Sequence, residues 1–294
     1  MKKAWFLGCL TTLLCAGCVP KIKIVDNLSN VSNERAHVVF LYGQSNADGV
    51  SYNEYLKLNS ETKFNEFNEG YENVLINFVN DKDGNTSNYM FRQCTLGCGY
   101  LPVCFGPEMG IAEKMSAAYP NEKTFIIKWT VGGTILKTEW LNGKKKRGDL
   151  YKRSMDFSIK CLNYLIDKGY ELSLDGICWM QGESDSMASD ASRYYEDTVA
   201  YVNYLRNDFK KYQYDIRFID AGINELENIW WLPEEINATK KKFASESELN
   251  FYIDTAEMHL SSIHEPYDKA DVAHWDSLSM VALGQAFGNI LIGE

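Results

Sequence analysis

Apolar residues fall along this chain in two rhythms, short solid runs that stop at glycine and longer stretches that repeat every three or four positions. Val38 to Tyr42 is a run of the first kind, β-branched and aromatic and ended by Gly43, which suits a buried strand. Thr124 to Thr130, just before Gly132-Gly133, and Leu174 to Met180, breaking at Gln181-Gly182, have the same form. Ile216–Ala221 and Leu249–Ile253 predict two more strands with a helix between them. Helical spacing appears over residues 106–119, where Pro107 suits a first turn and Met109, Ala112, Met115 and Ala118 share one face. It recurs from Leu150 to Asp167, stopping at Gly169, and from Ala191 to Lys211, with Tyr195, Val199, Val202 and Leu205 in phase. Ser279 to Leu291 closes the chain as an apolar helix. This alternation predicts an α/β protein, a parallel sheet of about five strands covered on both faces. Residues 50–104 show few periods and read as an elaborated loop region; residues 19–36, polar and rich in Asn and Ser, read as a tether. No internal repeat or Pro/Ser-rich linker divides residues 37–294, so one domain is expected there.

At 294 residues the chain can bury a substantial core, and 45% hydrophobic with 24% charged residues is ordinary for a soluble globular protein. The net charge of −10 excludes a phosphate-binding surface and so a nucleic-acid partner. The basic run Lys144-Lys-Lys-Arg147, between Gly143 and Gly148, reads as a solvated turn. The N-terminus has the form of an export signal: Lys2 and Lys3, then an apolar stretch from Ala4 to Leu14 too short to span a membrane. Cys15-Ala-Gly-Cys18 resembles a bacterial lipobox, with residues 1–18 as signal and lipidation site and Cys18 as the lipidated residue. The expected location is the cell envelope, with contact to a membrane only through the lipid, or alternatively secretion. Export implies an oxidising compartment, and Cys94, Cys98 and Cys104, crowded in one glycine-rich loop, are expected to form a disulfide of open connectivity. No fourth ligand at zinc spacing accompanies them, so no metal is expected.

Ser45 stands between Gly43 and Gly49 just past the Val38–Tyr42 run, at the strand edge where open α/β sheets bind ligands. A serine oxygen becomes a nucleophile only when a base takes its proton and a third group orients the base. Asp271-Val-Ala-His274 supplies both, three positions apart in one turn. Backbone N–H groups of Ser45 and Gly133, with the amide of Gln181, would serve as oxyanion donors. Trp275, beside His274, has a claim to line a pocket, whereas Trp230-Trp231 reads as core. His37 reads as opening a strand, and His259 and His264 as loop or surface residues.

Gly43-Gln-Ser-Asn46, Gly132-Gly-Thr134, Gln181-Gly-Glu-Ser-Asp185 and Asp271-x-x-His274 together resemble the motif set of the SGNH hydrolase superfamily. They are most similar to its sialate O-acetylesterase and acetylxylan esterase branch, the sixth carbohydrate esterase family, with which Gly106-Pro-Glu is also in keeping. The resemblance implies a flavodoxin-like three-layer αβα fold and cofactor-free, metal-free removal of O-acetyl groups from a poly- or oligosaccharide such as xylan, pectin or a sialoside. It casts Ser45 as nucleophile, His274 as general base, and Asp271 as the orienting acid, with Glu183 a rival for that place. Gly133 and Gln181 would complete the oxyanion hole, and Gln44, Asn46, Gly132 and Trp275 would meet the substrate. The alternative is a surface lipoprotein that binds carbohydrate on the same fold without catalysis.

Overall fold

The computed structural model describes residues 22–80, 84–187, 191–225 and 229–294. The expected signal and lipidation site, residues 1–18 with Cys18, lie outside the described residues. In chain order the elements are β1 (Glu34–Gly43), α1 (Ser45–Asp48), β2 (Ser51–Tyr52), α2 (Asn53–Asn59), α3 (Glu61–Glu69), β3 (Val74–Asn80), β4 (Arg92–Gln93) and β5 (Cys104–Phe105). They continue with α4 (Glu108–Ala118), β6 (Lys123–Thr130), a π turn (Leu136–Trp140), α5 (Asp149–Asp167), β7 (Tyr170–Met180), α6 (Glu183–Ser186) and α7 (Tyr194–Phe209). Last come β8 (Phe218–Ala221), α8 (Pro233–Ala244), β9 (Asn250–Ile253) and α9 (Ser277–Ile292).

One seven-stranded sheet runs β4-β3-β6-β1-β7-β8-β9, every neighbouring pair parallel except the edge pair β3–β4. Strand β1 lies in the middle and shows why the sheet is buried on both sides. Val38, Phe40 and Tyr42 point into one apolar layer with Phe157 and Leu162 of α5 and Tyr201 and Leu205 of α7. Val39 and Leu41 point into the other, with Met109 and Met115 of α4 and Leu283 and Phe287 of α9. Each such large side chain taken out of water contributes about 1.5–3 kcal/mol. On the second layer α4 and α9 cross almost backbone to backbone. A Cβ on Gly284 would stand 2.4 Å from the Pro107 carbonyl oxygen, so only glycine allows that approach.

Two stretches differ from what their sequence suggests. Residues 50–104 are not a long loop: they hold α2, α3 and β3, the last fully integrated beside β6. Their patterns are faint because α2 buries only Leu56 and α3 only Phe67, while the β3 run is broken by the buried Asn77 and Asn80. Asn77 is fully buried and accepts from the Ser87 hydroxyl at 2.6 Å, which meets its polar need inside the sheet. Residues 22–33 are not a free tether either. Ile22, Ile24, Leu28 and Val31 pack on the α5 side of the core, and Val31 N–H donates to the Lys168 carbonyl at 2.7 Å.

Candidate active site

Strands β6, β1 and β7 are neighbours, so their C-terminal ends deliver three loops to one place. Gly43 makes the first exit possible. Its φ is +145°, and a Cβ there would lie 2.0 Å from the Met180 carbonyl oxygen. Gln44 N–H donates to that same oxygen at 2.9 Å and Val131 N–H to the Gly43 carbonyl at 3.1 Å, which ties the three exits together. Ser45 follows as the first residue of α1, half-buried, and a Cβ on Gly132 would come within 3.7 Å of the Ser45 Cβ.

Ser45, Gly132 and Gly133 line a cleft of about 460 Å³, with Val50, Asp48 and Tyr100 beside them and Asp271 and His274 across from the C-terminal part of the chain. The Asp271–His274 turn closes on itself: His274 N–H donates to the Asp271 carbonyl at 3.1 Å, and His274 Nδ1 lies 2.7 Å from Asp271 Oδ2. The hydrogen bond to His274 holds the Asp271 carboxyl below the usual aspartate range. With Nδ1 as donor, Nε2 is left as an acceptor. Ser45 and His274 face the same cleft without a hydrogen bond between them; such contacts are often long until substrate arrives. Among the described residues, the backbone N–H groups of Ser45 and Gly133 have no acceptor.

A long gap in sequence is bridged by one side chain. Asn46 Nδ2 donates to Glu183 Oε1 at 2.8 Å and to the Ala273 carbonyl at 3.3 Å, while its Oδ1 accepts from Trp275 N–H at 3.3 Å. The residues either side of His274 are therefore pinned to the residue after Ser45. Glu183, 3% exposed, reaches Asn46 rather than His274 among its hydrogen-bond partners.

Four expected side-chain contacts with substrate or oxyanion are not where sequence reasoning put them. Gln181 is fully buried, and its Nε2 donates to the Thr134 carbonyl at 2.8 Å and to Asp185 Oδ2 at 2.5 Å. With both amide hydrogens engaged it braces the turn after Gly133 from behind and has none left for an oxyanion. Gln44 and Asn46 are each 2% exposed and do not line the cleft. Trp275 is buried in the α4–α9 layer and borders a separate cavity with Leu260 and His259. Other expectations change as well. Cys94, Cys98 and Cys104 are free thiols, not a disulfide: each is buried in the packed loop, and the Cys94 thiol donates to the Glu108 carbonyl instead. Burial pushes the Cys98 and Cys104 thiols up to about 11. Trp231 is 70% exposed rather than core. His37 does sit in β1, at the far end of the sheet, stacked on Tyr119 and bonded to Asp175 and Glu122.

Below the cleft lies a polar layer that includes Glu108 of the Gly106-Pro-Glu motif but whose central lysine no motif announced. Lys128 of β6 is 1% exposed and donates to Glu108 Oε2 at 2.9 Å and to the Asp48 and Cys98 carbonyls at 2.8 Å. Asp48 accepts from Asn80 Nδ2 and Thr130 Oγ1, and burial raises its carboxyl to about 6 against the pull of Lys128. This net fastens the Ser45 turn, the cysteine loop and α4 to the sheet. The signal that could have found it was a lysine in the middle of an otherwise apolar strand.

The fold is thus a three-layer αβα sandwich in which a serine, a histidine–aspartate pair and a two-glycine turn surround one cleft at the C-terminal sheet edge. Residues 35–293 match the family model for carbohydrate esterases described as sialic acid-specific acetylesterases, and the chain belongs to that family of carbohydrate acetylesterases. Among solved structures it is similar to a protein of Arabidopsis thaliana, with a TM-score of 0.62 at 15% identity over 88% of this chain and 98% of that one. It is also similar to NanS, with a TM-score of 0.58 at 14% identity over 89% and 98%. At such identities these two likenesses speak for the fold. No curated protein sequence matches the chain.

Proposed function

We propose that this esterase removes O-acetyl groups from carbohydrate by covalent serine catalysis, with Ser45 as nucleophile, His274 as base and Asp271 as the acid that orients it. The observation that carries this reading is the Asn46 clamp, which holds the Asp271–His274 turn across the cleft from Ser45. Ser45 Oγ would attack the acetyl carbonyl as His274 takes its proton. The tetrahedral oxyanion would form against the backbone N–H groups of Ser45 and Gly133. The sugar hydroxyl then leaves with the proton from His274, and a water activated by the same imidazole releases acetate and restores the serine. Glu183 serves here as a positioning residue acting through Asn46.

The test is acetate release from acetylated xylan, pectin and sialosides by the wild type and by Ser45→Ala. The variant is expected to lose more than about 10³-fold in kcat while keeping its circular dichroism. Undiminished turnover would sink the mechanism. Glycan binding with no acetate release by the wild type would favour a binding protein instead. Export with lipid attached at Cys18 belongs to the same proposal, and loss of labelled-lipid incorporation in Cys18→Ser is its check.

A further inference from the structure

Strand β2 leaves the cleft at Val50 and leads directly onto a row of tyrosines. Tyr52 and Tyr55 have ring centroids 6.0 Å apart, and Tyr55 and Tyr267 4.6 Å apart, both edge to face. Tyr267 comes from the loop that ends at Asp271, closed at its base by Asp271 N–H donating to the Glu265 carbonyl at 2.9 Å. The row therefore starts and ends on segments that also line the cleft, through Val50 at one side and Asp271 at the other. Burial, together with the Cys104 thiol and the Asp271 carboxylate, raises the Tyr52 phenol. Val103, 55% exposed, flanks the row, since Asn53 N–H donates to its carbonyl at 2.9 Å.

Exposed tyrosines are common, but this one is held. Tyr267 is 58% exposed, yet its hydroxyl donates to Asn59 Oδ1 at 3.1 Å and its N–H to the Tyr55 hydroxyl at 3.3 Å. Asn59 in turn donates to Glu265 Oε1 at 2.9 Å, and Glu265 is buried and bonded to Ser277 at the start of α9. A large ring fixed in solvent has already lost its rotamer freedom, so a ligand that covers it gives up little entropy. A tyrosine ring combines an apolar face with a polar tip, which fits a pyranose, apolar on its C–H face and hydroxylated at its rim.

We propose that Tyr267, braced edge to face by Tyr55 and through it by Tyr52, forms a stacking shelf for a sugar unit next to the acetylated one, so that the natural substrate is an extended, uncharged glycan chain. The lack of charge follows from the partly exposed Asp271 carboxylate in the cleft the chain must cross. This rests on the esterase reading above.

The test compares kcat/KM on acetylated xylo-oligosaccharides of one to five units with kcat/KM on 4-nitrophenyl acetate. In the wild type the oligosaccharide value is expected to rise with chain length. In Tyr267→Ala the ratio of pentamer to aryl acetate is expected to fall roughly tenfold, about 1.4 kcal/mol. Tyr267→Trp, which keeps a stacking face, is expected to recover most of it. A wild type indifferent to length, or a ratio unmoved by Tyr267→Ala, overturns the shelf. A higher pentasaccharide kcat/KM for an acidic, uronate-bearing chain than for the neutral one overturns the uncharged substrate. Absence of hydrolysis of 4-nitrophenyl acetate by the wild type would instead bring down the esterase reading, which keeps the two failures apart.

Discussion

Asp271 and Glu183 are both candidates for the acid behind His274, and of the two only Asp271 is hydrogen-bonded to that ring. Asp271 Oδ2 lies 2.7 Å from His274 Nδ1, whereas Glu183 Oε1 is engaged by Asn46 at 2.8 Å. On the proposed mechanism, Asp271→Asn removes the charge that steadies the developing imidazolium and leaves an amide able to favour the wrong tautomer. A loss of roughly 10²–10⁴-fold in kcat is expected, with the fold intact. Glu183→Gln keeps the size and one acceptor for Asn46, so its loss is expected to be about tenfold or less, through small displacement of the His274 loop. Steady-state kinetics on an aryl acetate measures both, and a larger loss for Glu183→Gln would reverse the assignment. The same scale shows where motif reading fails. Gln181 and Gln44 sit in motif positions beside the cleft glycines and Ser45, and only the hydrogen bonds of Gln181 and the burial of both show that they face inward. A motif gives adjacency along the chain; the direction of a side chain is decided by which neighbours can satisfy it.

At the scale of elements, the strands and long helices were legible because a residue buried on a sheet or helix face must be apolar at a fixed period. The elements that escaped, α2, α3 and β3, bury one side chain each or carry asparagines inward, so the period is too weak to see. Helix α2 carries Tyr55 and Asn59 of the shelf beside the cleft, and its faint patterning goes with a surface role. The crossing of α4 and α9 depends on a feature periodicity ignores, the absence of side chains. A leucine at Gly284 would meet the Pro107 carbonyl 2.4 Å from its Cβ, and Gly110 Cα 2.9 Å away, both rigid backbone. Gly284→Leu is therefore expected to destabilise the fold by about 3 kcal/mol or more, seen as a lower urea midpoint with little change in slope. An unchanged midpoint would mean that the helices part without cost.

For the whole molecule, buried carboxyls in and around the sheet set part of how stability answers to pH. Burial raises Asp48, Asp185 and Asp220 to about 6, from a reference of 3.8, despite the opposing pull of Lys128 on Asp48 and Lys240 on Asp220. With folded values above unfolded ones, the native state holds more protons in that window. These three groups therefore lower the free energy of unfolding as pH rises from about 4 to about 6, and His37, which despite the opposing effect of burial is held above its usual range by Asp175 and Glu122, continues the fall at higher pH. Asp271, held below its reference, acts in the opposite sense and only at more acid pH. Urea unfolding across the range checks this, and Asp185→Asn should flatten part of the slope, by on the order of 2 kcal/mol, while keeping an acceptor for Leu136 N–H. A slope unaffected by that substitution would mean the charge is borne without penalty. What the chain settled by itself is its class: glycine-ended apolar runs alternating with amphipathic stretches, and four short motifs in order, because period and turn chemistry are local. The tertiary structure alone decided which motif residues share the cleft, that the cysteines stay apart as thiols, and that Asn46 ties residues 46 and 273 together. These depend on contacts that close only in three dimensions, those of Asn46 reaching 227 residues along the chain, and no local pattern records them.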